Sequence, residues 1–228
     1  MILQTGQFSF HSINLETLEM VRQWRNKDIV RNNMINRNVI RPQQQHKWFC
    51  SVRNIHNIYF ISNYKNTPFG VNNLKNIDYD KEIAEAGVFV GNEEFLYSEI
   101  TLIAAFYLLY FSFHALGLRA IKAQTLKNNI KAKAYSQEIG YSLVSSKNDV
   151  QWWQISKEDL NKKSEKIILA ARALFNFNNE WKLTMVKDDV EIGFFDVLKT
   201  RLEKNNVKHS VNKNESEIVF NLSLQQPV

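Results

Sequence analysis

Two side chains in this sequence have the chemistry of a general base. Glu85 sits in a run of small and apolar residues, Ile83-Ala-Glu-Ala-Gly-Val-Phe-Val90. A carboxylate there can take a proton from an amine through a water. His46, with an unperturbed pKa of about 6.5, can do the same near neutral pH. Each also has a plainer reading: Glu85 as an exposed strand carboxylate, His46 as a structural residue beside an apolar helix face. No metal centre is expected. Cys50 is the only cysteine, so neither an internal disulfide nor a cysteine ligand set can form, and no His/Asp/Glu spacing suits a metal.

The elements that must position these groups follow from composition and period. The chain has 228 residues, 44% of them hydrophobic and 23% charged, an ordinary globular balance. Net charge is +6, which suits nucleic acid, a membrane surface or a phosphorylated ligand. The basic residues are spread out and form no block interleaved with aromatics, so nucleic acid is not the expected partner. The stretch after Met1 is polar and lacks a signal-peptide pattern, and a single cysteine fits a reducing compartment. A cytoplasmic location is therefore expected. Between residues 100 and 118 there is no Asp, Glu, Lys or Arg. That length approaches a membrane span, but Thr101, Ser112, His114 and two tyrosines favour a buried core helix, without stable membrane insertion.

Phe8 to Phe10 reads as a short strand. Leu15, Leu18, Val21 and Trp24 recur at helical spacing behind Asn14 as N-cap. Pro42 opens a second helix carrying His46, Trp48, Phe49 and Val52. Strands are expected over 58–64, 69–75 and 83–90, with turns at 65–68 and 78–80. Ser98 caps a long apolar helix that Gly117 ends. A strand over 119–126, a helix over 130–139 closed by Gly140, and a strand over 150–155 complete this part. Farther on, a helix is expected over 164–177 and another over 195–204. Strands are expected over 181–186, 190–195 and 217–222. The expected architecture is α+β (α/β): a mixed, mostly antiparallel twisted sheet flanked by helices over residues 1–157. A small α+β appendage of unassigned role follows over 158–228.

Three segments carry a resemblance. Val21-Arg22-Gln23-Trp24-Arg25-Asn26, followed by Val30-Arg-Asn-Asn-Met34 and Gln45-His46-Lys-Trp-Phe49, is similar to the start of several N-acetyltransferases of the GNAT superfamily. Glu85-Ala86-Gly87-Val88-Phe89 resembles that family's splayed strand. Asn128-Asn129-Ile-Lys-Ala-Lys-Ala-Tyr135, with Ile139-Gly140-Tyr141, resembles its "N…A…Y…GF" helix. The spacing resembles the branch that acetylates the 4-amino group of a UDP-linked sugar in the pseudaminic acid pathway. The ribosomal-protein acetyltransferases share a looser version. The resemblance covers residues 8–157.

It implies acetyl-CoA as acyl donor and a small amine, a nucleotide-linked amino sugar for surface glycan synthesis, as acceptor. Tyr135 matches the tyrosine that meets the CoA sulfur and would act as general acid; a phenol of pKa near ~10 suits a developing thiolate. Backbone N–H groups at Val88, Phe89 and Val90 would polarise the acetyl carbonyl. The cofactor loop maps to Leu96, Tyr97, Ser98, Glu99, Ile100 and Thr101, with Asn128 nearby. The family's glycines, which let N–H groups approach a pyrophosphate at a helix N-terminus, are missing there, and Glu99 adds a negative charge. Arg25, Asn26 and Met34 would line the acceptor side, where the planar fork of Arg25 suits a diphosphate. Other acceptors stay open: a protein N-terminus, a polyamine or an aminoglycoside. So do a homodimer and a catalytically silent binding module on the same fold.

Overall fold

A computed structural model describes residues 1–224, the side chain of Ser164 excepted. The first part runs β1 (Ile2–Thr5), β2 (Phe8–Ser12), α1 (Leu18–Asn26), α2 (Asp28–Arg31), α3 (Pro42–Val52), β3 (Ile58–Tyr64), β4 (Thr67–Asp78) and β5 (Ile83–Val90). A 3-10 turn, Glu93–Phe95, leads into α4 (Glu99–His114). Then come β6 (Ala120–Leu126), α5 (Ile130–Ile139), β7 (Ser142–Lys147) and β8 (Val150–Ser156). The chain ends with α6 (Lys157–Phe175), β9 (Glu180–Val186), α7 (Lys187–Glu191), α8 (Phe194–Lys204), β10 (Lys208–Lys213) and β11 (Glu217–Ser223).

The strands form one eleven-stranded sheet in the order β10-β11-β9-β1-β2-β3-β4-β5-β6-β8-β7. All neighbours pair antiparallel except β5 and β6. The expected mixed, mostly antiparallel sheet flanked by helices is therefore what the chain builds. Alternation puts each strand's side chains on two faces. On β3, Phe60 enters the large core around α4, while Ile61 joins Val21, Phe49 and Val71 under α1 and α3.

α4 is apolar on every side because it lies inside that large core, where no face needs water. Among the described residues, no helix is long and apolar enough to cross a membrane. Just past the C-terminus of α4, α8 supplies partners to the backbone carbonyls of the turn that follows. The buried Arg201 donates Nε to Leu116 O at 2.6 Å and Nη2 to Gly117 O at 3.0 Å. Nη2 also lies 3.0 Å from Glu82 Oε1. A cation here also opposes the negative end of the helix dipole.

The expected break near residue 157 falls at the β8–α6 junction, where Ser156 and Asp159 form a reciprocal cap. Beyond it, β9 pairs with β1 (Leu3 opposite Leu183) and lengthens the same sheet. Trp181, Leu198 and Phe220 belong to the same core as Phe106 and Phe111. The tail is thus continuous with the rest of the fold instead of standing apart on a core of its own.

Several local expectations need correction. Residues 190–195 are not a strand: the Asp189 carboxylate caps α7 by accepting Val186 N at 2.9 Å, and Gly193 (φ +86) turns the chain into α8. Helix α1 starts at Leu18, and Asn14 makes a turn ahead of it by accepting Thr17 N. β1, α2, β7 and β10 were not legible; β7 lies wholly exposed at one sheet edge and shows no apolar alternation.

His114, at the end of α4, is 9% exposed and stacks on Tyr110 at 4.2 Å. Burial, and then the charge of Lys157, lower its pKa from 6.5 to about 4, against a raising hydrogen bond from Asn161. The folded state therefore resists protonation more than the unfolded chain. The stability it protects is whole above about pH 6.5 and is lost as pH falls toward about 4, on the order of 3 kcal/mol. Urea unfolding between pH 6.5 and 4 should show a shallower loss for His114→Phe than for the wild type; equal pH slopes would contradict this.

Candidate active site

β5 pairs with β4 as far as Val90, opposite Gly70. With β6 it pairs at three positions only: Ile83 with Ala120, Ala84 with Ile121 and Glu85 with Lys122. Past Glu85 the two strands diverge. Alternate N–H and C=O groups of residues 86–90 then face a gap instead of a partner strand. A cleft of about 690 Å³ occupies the split and is lined from both faces of the sheet. On one face stand Leu108 and Leu109 of α4 with Ala132, Tyr135 and Ile139 of α5. On the other stand Arg25, the 33–40 segment, Gln45, Trp48 and the strand residues Tyr59, Asn73, Lys75 and Glu85.

The two faces differ chemically. The α4/α5 face is apolar around one phenol. Asn129 caps α5 by accepting Ala132 N at 3.0 Å, which fixes the helix that presents Tyr135. The Tyr135 hydroxyl donates to Thr101 O at 3.2 Å. Burial, with Tyr141 beside it, pushes this phenol well above its ordinary range, so it stays protonated. The α1/α3 face is polar. Glu85 Oε1 lies 2.6 Å from Lys75 Nζ and accepts Gln124 Nε2 at 3.0 Å. Tyr59 stacks edge-on against Trp48 at 5.0 Å, and burial followed by the Glu85 charge raises its pKa. Arg25 donates Nη2 to Asn36 O at 2.7 Å, while its Nη1 is buried without a hydrogen-bond partner among the described residues. Burial lowers its pKa.

Of the residues expected from sequence, Glu85, Tyr135, Arg25, Met34, Val88 and Phe89 line this cleft. His46 does not. At about 100° per residue, Gln44, Gln45 and Trp48 share the inner side of α3 and His46 faces outward. There its Nδ1 lies 3.8 Å from Cys50 Sγ. Asn26 is also absent from the lining: its Nδ2 donates to Ile40 O and its Oδ1 accepts Ile40 N, both at 2.8 Å. It is a clamp on the 32–41 segment. Exposed Asn128 gives its place to Asn129.

Val90, Leu96, Tyr97, Ser98, Glu99, Ile100 and Thr101 lie outside the lining. The hydroxyls of Ser98 and Thr101 do not point outward as donors; both donate to Phe95 O, at 2.8 and 2.9 Å. Tyr97 adopts φ +61, a left-handed turn made without glycine, and Lys131 Nζ stands 3.5 Å over its ring. Asn73, Lys75, Gln124, Tyr59 and Trp48 escaped the sequence reading. The usable signal was the alternation on β4, which puts Val71, Asn73 and Lys75 on one face.

No protein-family model matches this chain, and no curated protein matches it. Solved structures do. Spermidine N-acetyltransferase from Vibrio cholerae, in complex with CoA and spermine, matches with TM-score 0.61 and 16% identity over 68% of this chain and 98% of that one. The Campylobacter jejuni N-acetyltransferase PseH matches with TM-score 0.53 and 16% identity, covering 66% and 99%. RimL, a ribosomal L7/L12 alpha-N-protein acetyltransferase in complex with CoA, gives 0.59 and 14%, covering 68% and 98%. At these identities the likeness is one of fold: the chain has the fold of the GNAT N-acetyltransferases. About a third of it lies outside each match.

The clamp at Asn26 has a direct test. Asn26→Ala removes both hydrogen bonds to Ile40 and should speed hydrogen exchange at the Ile40 amide about tenfold or more. Unchanged exchange would show that the segment is held by something else.

Proposed function

We propose that this chain is an acetyl-CoA-dependent N-acetyltransferase acting on a small amine. The observation that carries the proposal is the ladder that ends at Glu85. It leaves an unpaired strand edge along which an extended chain bearing amides, such as pantetheine, can lie as an added strand. The apolar α4/α5 face suits the acyl donor and the polar α1/α3 face suits the amine.

The chemistry asks little of the protein beyond placement and charge. The amine nitrogen bonds to the acetyl carbon as the carbon–sulfur bond breaks; one proton leaves nitrogen and one reaches sulfur. An outward N–H of β5 among Val88, Phe89 and Val90 polarises the carbonyl. Tyr135, held protonated by burial, gives its proton to the departing sulfur. Glu85, on the opposite face, receives the proton of the amine through a water. His46, facing away, has no part in this assignment.

For the acceptor we favour a nucleotide-linked amino sugar used in surface glycan synthesis. Arg25 and Lys75 outnumber the one carboxylate, Glu85, on the polar face. That balance suits a phosphate-bearing acceptor better than a polyamine. The free edge of the Arg25 guanidinium is the group for a diphosphate oxygen. Such a reaction belongs where acetyl-CoA is made, in the cytoplasm. A second reading, a catalytically silent binding module, is favoured by Glu99 in the first turn of α4, where the pyrophosphate of CoA would have to lie.

The test is thiol release from acetyl-CoA with a UDP-linked 4-amino sugar, with spermidine and an N-terminal peptide run beside it. Release with the sugar is the expected result. Tyr135→Phe should lower turnover about 10²–10⁴-fold, the range for loss of an acid catalyst, with acetyl-CoA affinity kept in calorimetry. Unchanged turnover would remove Tyr135 from the mechanism. No acetyl-CoA binding at millimolar concentration would favour the silent module.

A further inference from the structure

Glu85 has been assigned to take a proton, but a proton acceptor alone does not aim a nitrogen lone pair. A reacting amine must be held at a fixed point, about 3 Å from the carbonyl carbon, with its N–H bonds turned away. The polar face of the cleft contains a group suited to that task which the mechanism above leaves unused. Asn73 Oδ1 is buried without a hydrogen-bond partner among the described residues. A buried amide oxygen left unpaired is costly, and such atoms in native folds call for an explanation. Asn73 lines the cleft, so a ligand can supply the missing donor.

Its position is built by its neighbours. Asn73 lies opposite Gly87 in the β4–β5 ladder, two residues beyond the last β5–β6 pair. A Cβ on Gly87 would sit 3.0 Å from Asn73 Nδ2 and 3.3 Å from Oδ1. The missing side chain therefore leaves the space in which the amide lies over the free strand. Lys75 and Glu85 pair two residues along the same ladder, on the same face. Asn73 and Glu85 are thus diagonal neighbours on one face, roughly 7 Å apart at the backbone. Both hydrogen-bonded contacts of the Glu85 carboxylate, from Lys75 and Gln124, fall on Oε1. Oε2 takes no hydrogen bond among the described residues.

We propose that Asn73 is the amine-orienting residue: its Oδ1 accepts one N–H of the acceptor nitrogen while Glu85 Oε2 faces the proton to be lost. This rests on the acetyltransferase reading above and deepens it. A neutral amine that gives one N–H to Asn73 Oδ1 and the other to a water on Glu85 Oε2 keeps its lone pair for the split between β5 and β6. Lys75 and Gln124 act as positioning residues, fixing the carboxylate so that its second oxygen turns inward. Gly87 is the clearance that lets the amide reach the strand edge. The site accordingly asks for an acceptor with two N–H bonds in its neutral form, which a primary amine meets.

The experiment uses the full chain and three variants: Asn73→Leu, Asn73→Asp and Gly87→Ala. Acetyl-CoA affinity is read by calorimetry and thermal unfolding by circular dichroism. Then kcat/KM is measured for whichever of the UDP-linked 4-amino sugar, spermidine and the N-terminal peptide the wild type acetylates. Asn73→Leu should lower kcat/KM for the amine about 10- to 100-fold, through loss of one hydrogen bond to a charged group, with acetyl-CoA affinity unchanged. Gly87→Ala should do the same by displacing the amide, and Asn73→Asp should recover most of the loss by restoring an acceptor oxygen. If Asn73→Leu unfolds, Gly87→Ala still decides the matter, since only Asn73→Asp is expected to stay near the wild type. Intact acetyl-CoA binding with unchanged kcat/KM in the folded variants would overturn the role of Asn73 alone. Failure of the wild type to bind acetyl-CoA would overturn the acetyltransferase reading and this one with it.

Discussion

The ladder between β5 and β6 stops after Glu85 and Lys122, and the strands stay apart from there to their C-terminal ends. A parallel pair inside a large sheet would ordinarily continue, because each backbone N–H and C=O left without a partner costs free energy. Here five residues of β5 lose that partner on one side while β4 holds them on the other. Everything chemical in the molecule follows from this split. It opens a passage through the sheet, exposes one strand edge, and places the two side-chain faces of β5 on opposite sides of the passage. Glu85, Gly87 and Phe89 then turn to α1 and α3, while Ala86 and Val88 turn to α4 and α5.

A split sheet needs support from outside the split. α4 gives it on one face, buried along nearly its whole length and packed against β-strand side chains from both halves. The tail gives it at one remove. Arg201 of α8 ties the end of α4 to the β4–β5 turn through Glu82 and the carbonyl of Tyr79. β9 adds a further strand beside β1. A guanidinium buried with partners on two segments, the end of α4 and the β4–β5 turn, is costly to leave half-paired, which ties α4, the turn and the tail together. On the other face, the Asn26 clamp and the Arg25 contact to Asn36 hold the 32–41 segment over the polar mouth of the cleft. The cleft's polar mouth is thus framed by a loop, and its deeper lining by strands and helices.

Much of the frame was readable from residue types. The aromatic, β-branched run of β3, the long apolar run of α4 and the Gly140 stop of α5 each carry strong local signals, and each formed as expected. What escaped lacked such signals. β7 and β10 are edge strands, exposed along most or all of their length and without a clear apolar alternation. Residues 190–195 look β-branched, yet a side-chain cap and one left-handed glycine made them helical. Glu85, Arg25 and Tyr135, which the resemblance marked, all line the cleft. His46 was misplaced because a motif gives spacing and not the rotation of a helix. Ser98 and Thr101 were misread because an inward carbonyl, Phe95 O, competes for their hydroxyls. Asn73 and Lys75 were invisible because their importance comes from register with β5, a long-range fact that no single segment contains.

The most direct measurement is hydrogen exchange of the β5 amides with and without saturating acetyl-CoA. If a donor chain lies along the open edge, outward amides among residues 86–90 slow markedly on binding, while those already paired to β4 change little. Unchanged exchange across residues 86–90 at saturating acetyl-CoA would contradict strand-edge pairing, and with it the proposed use of the split.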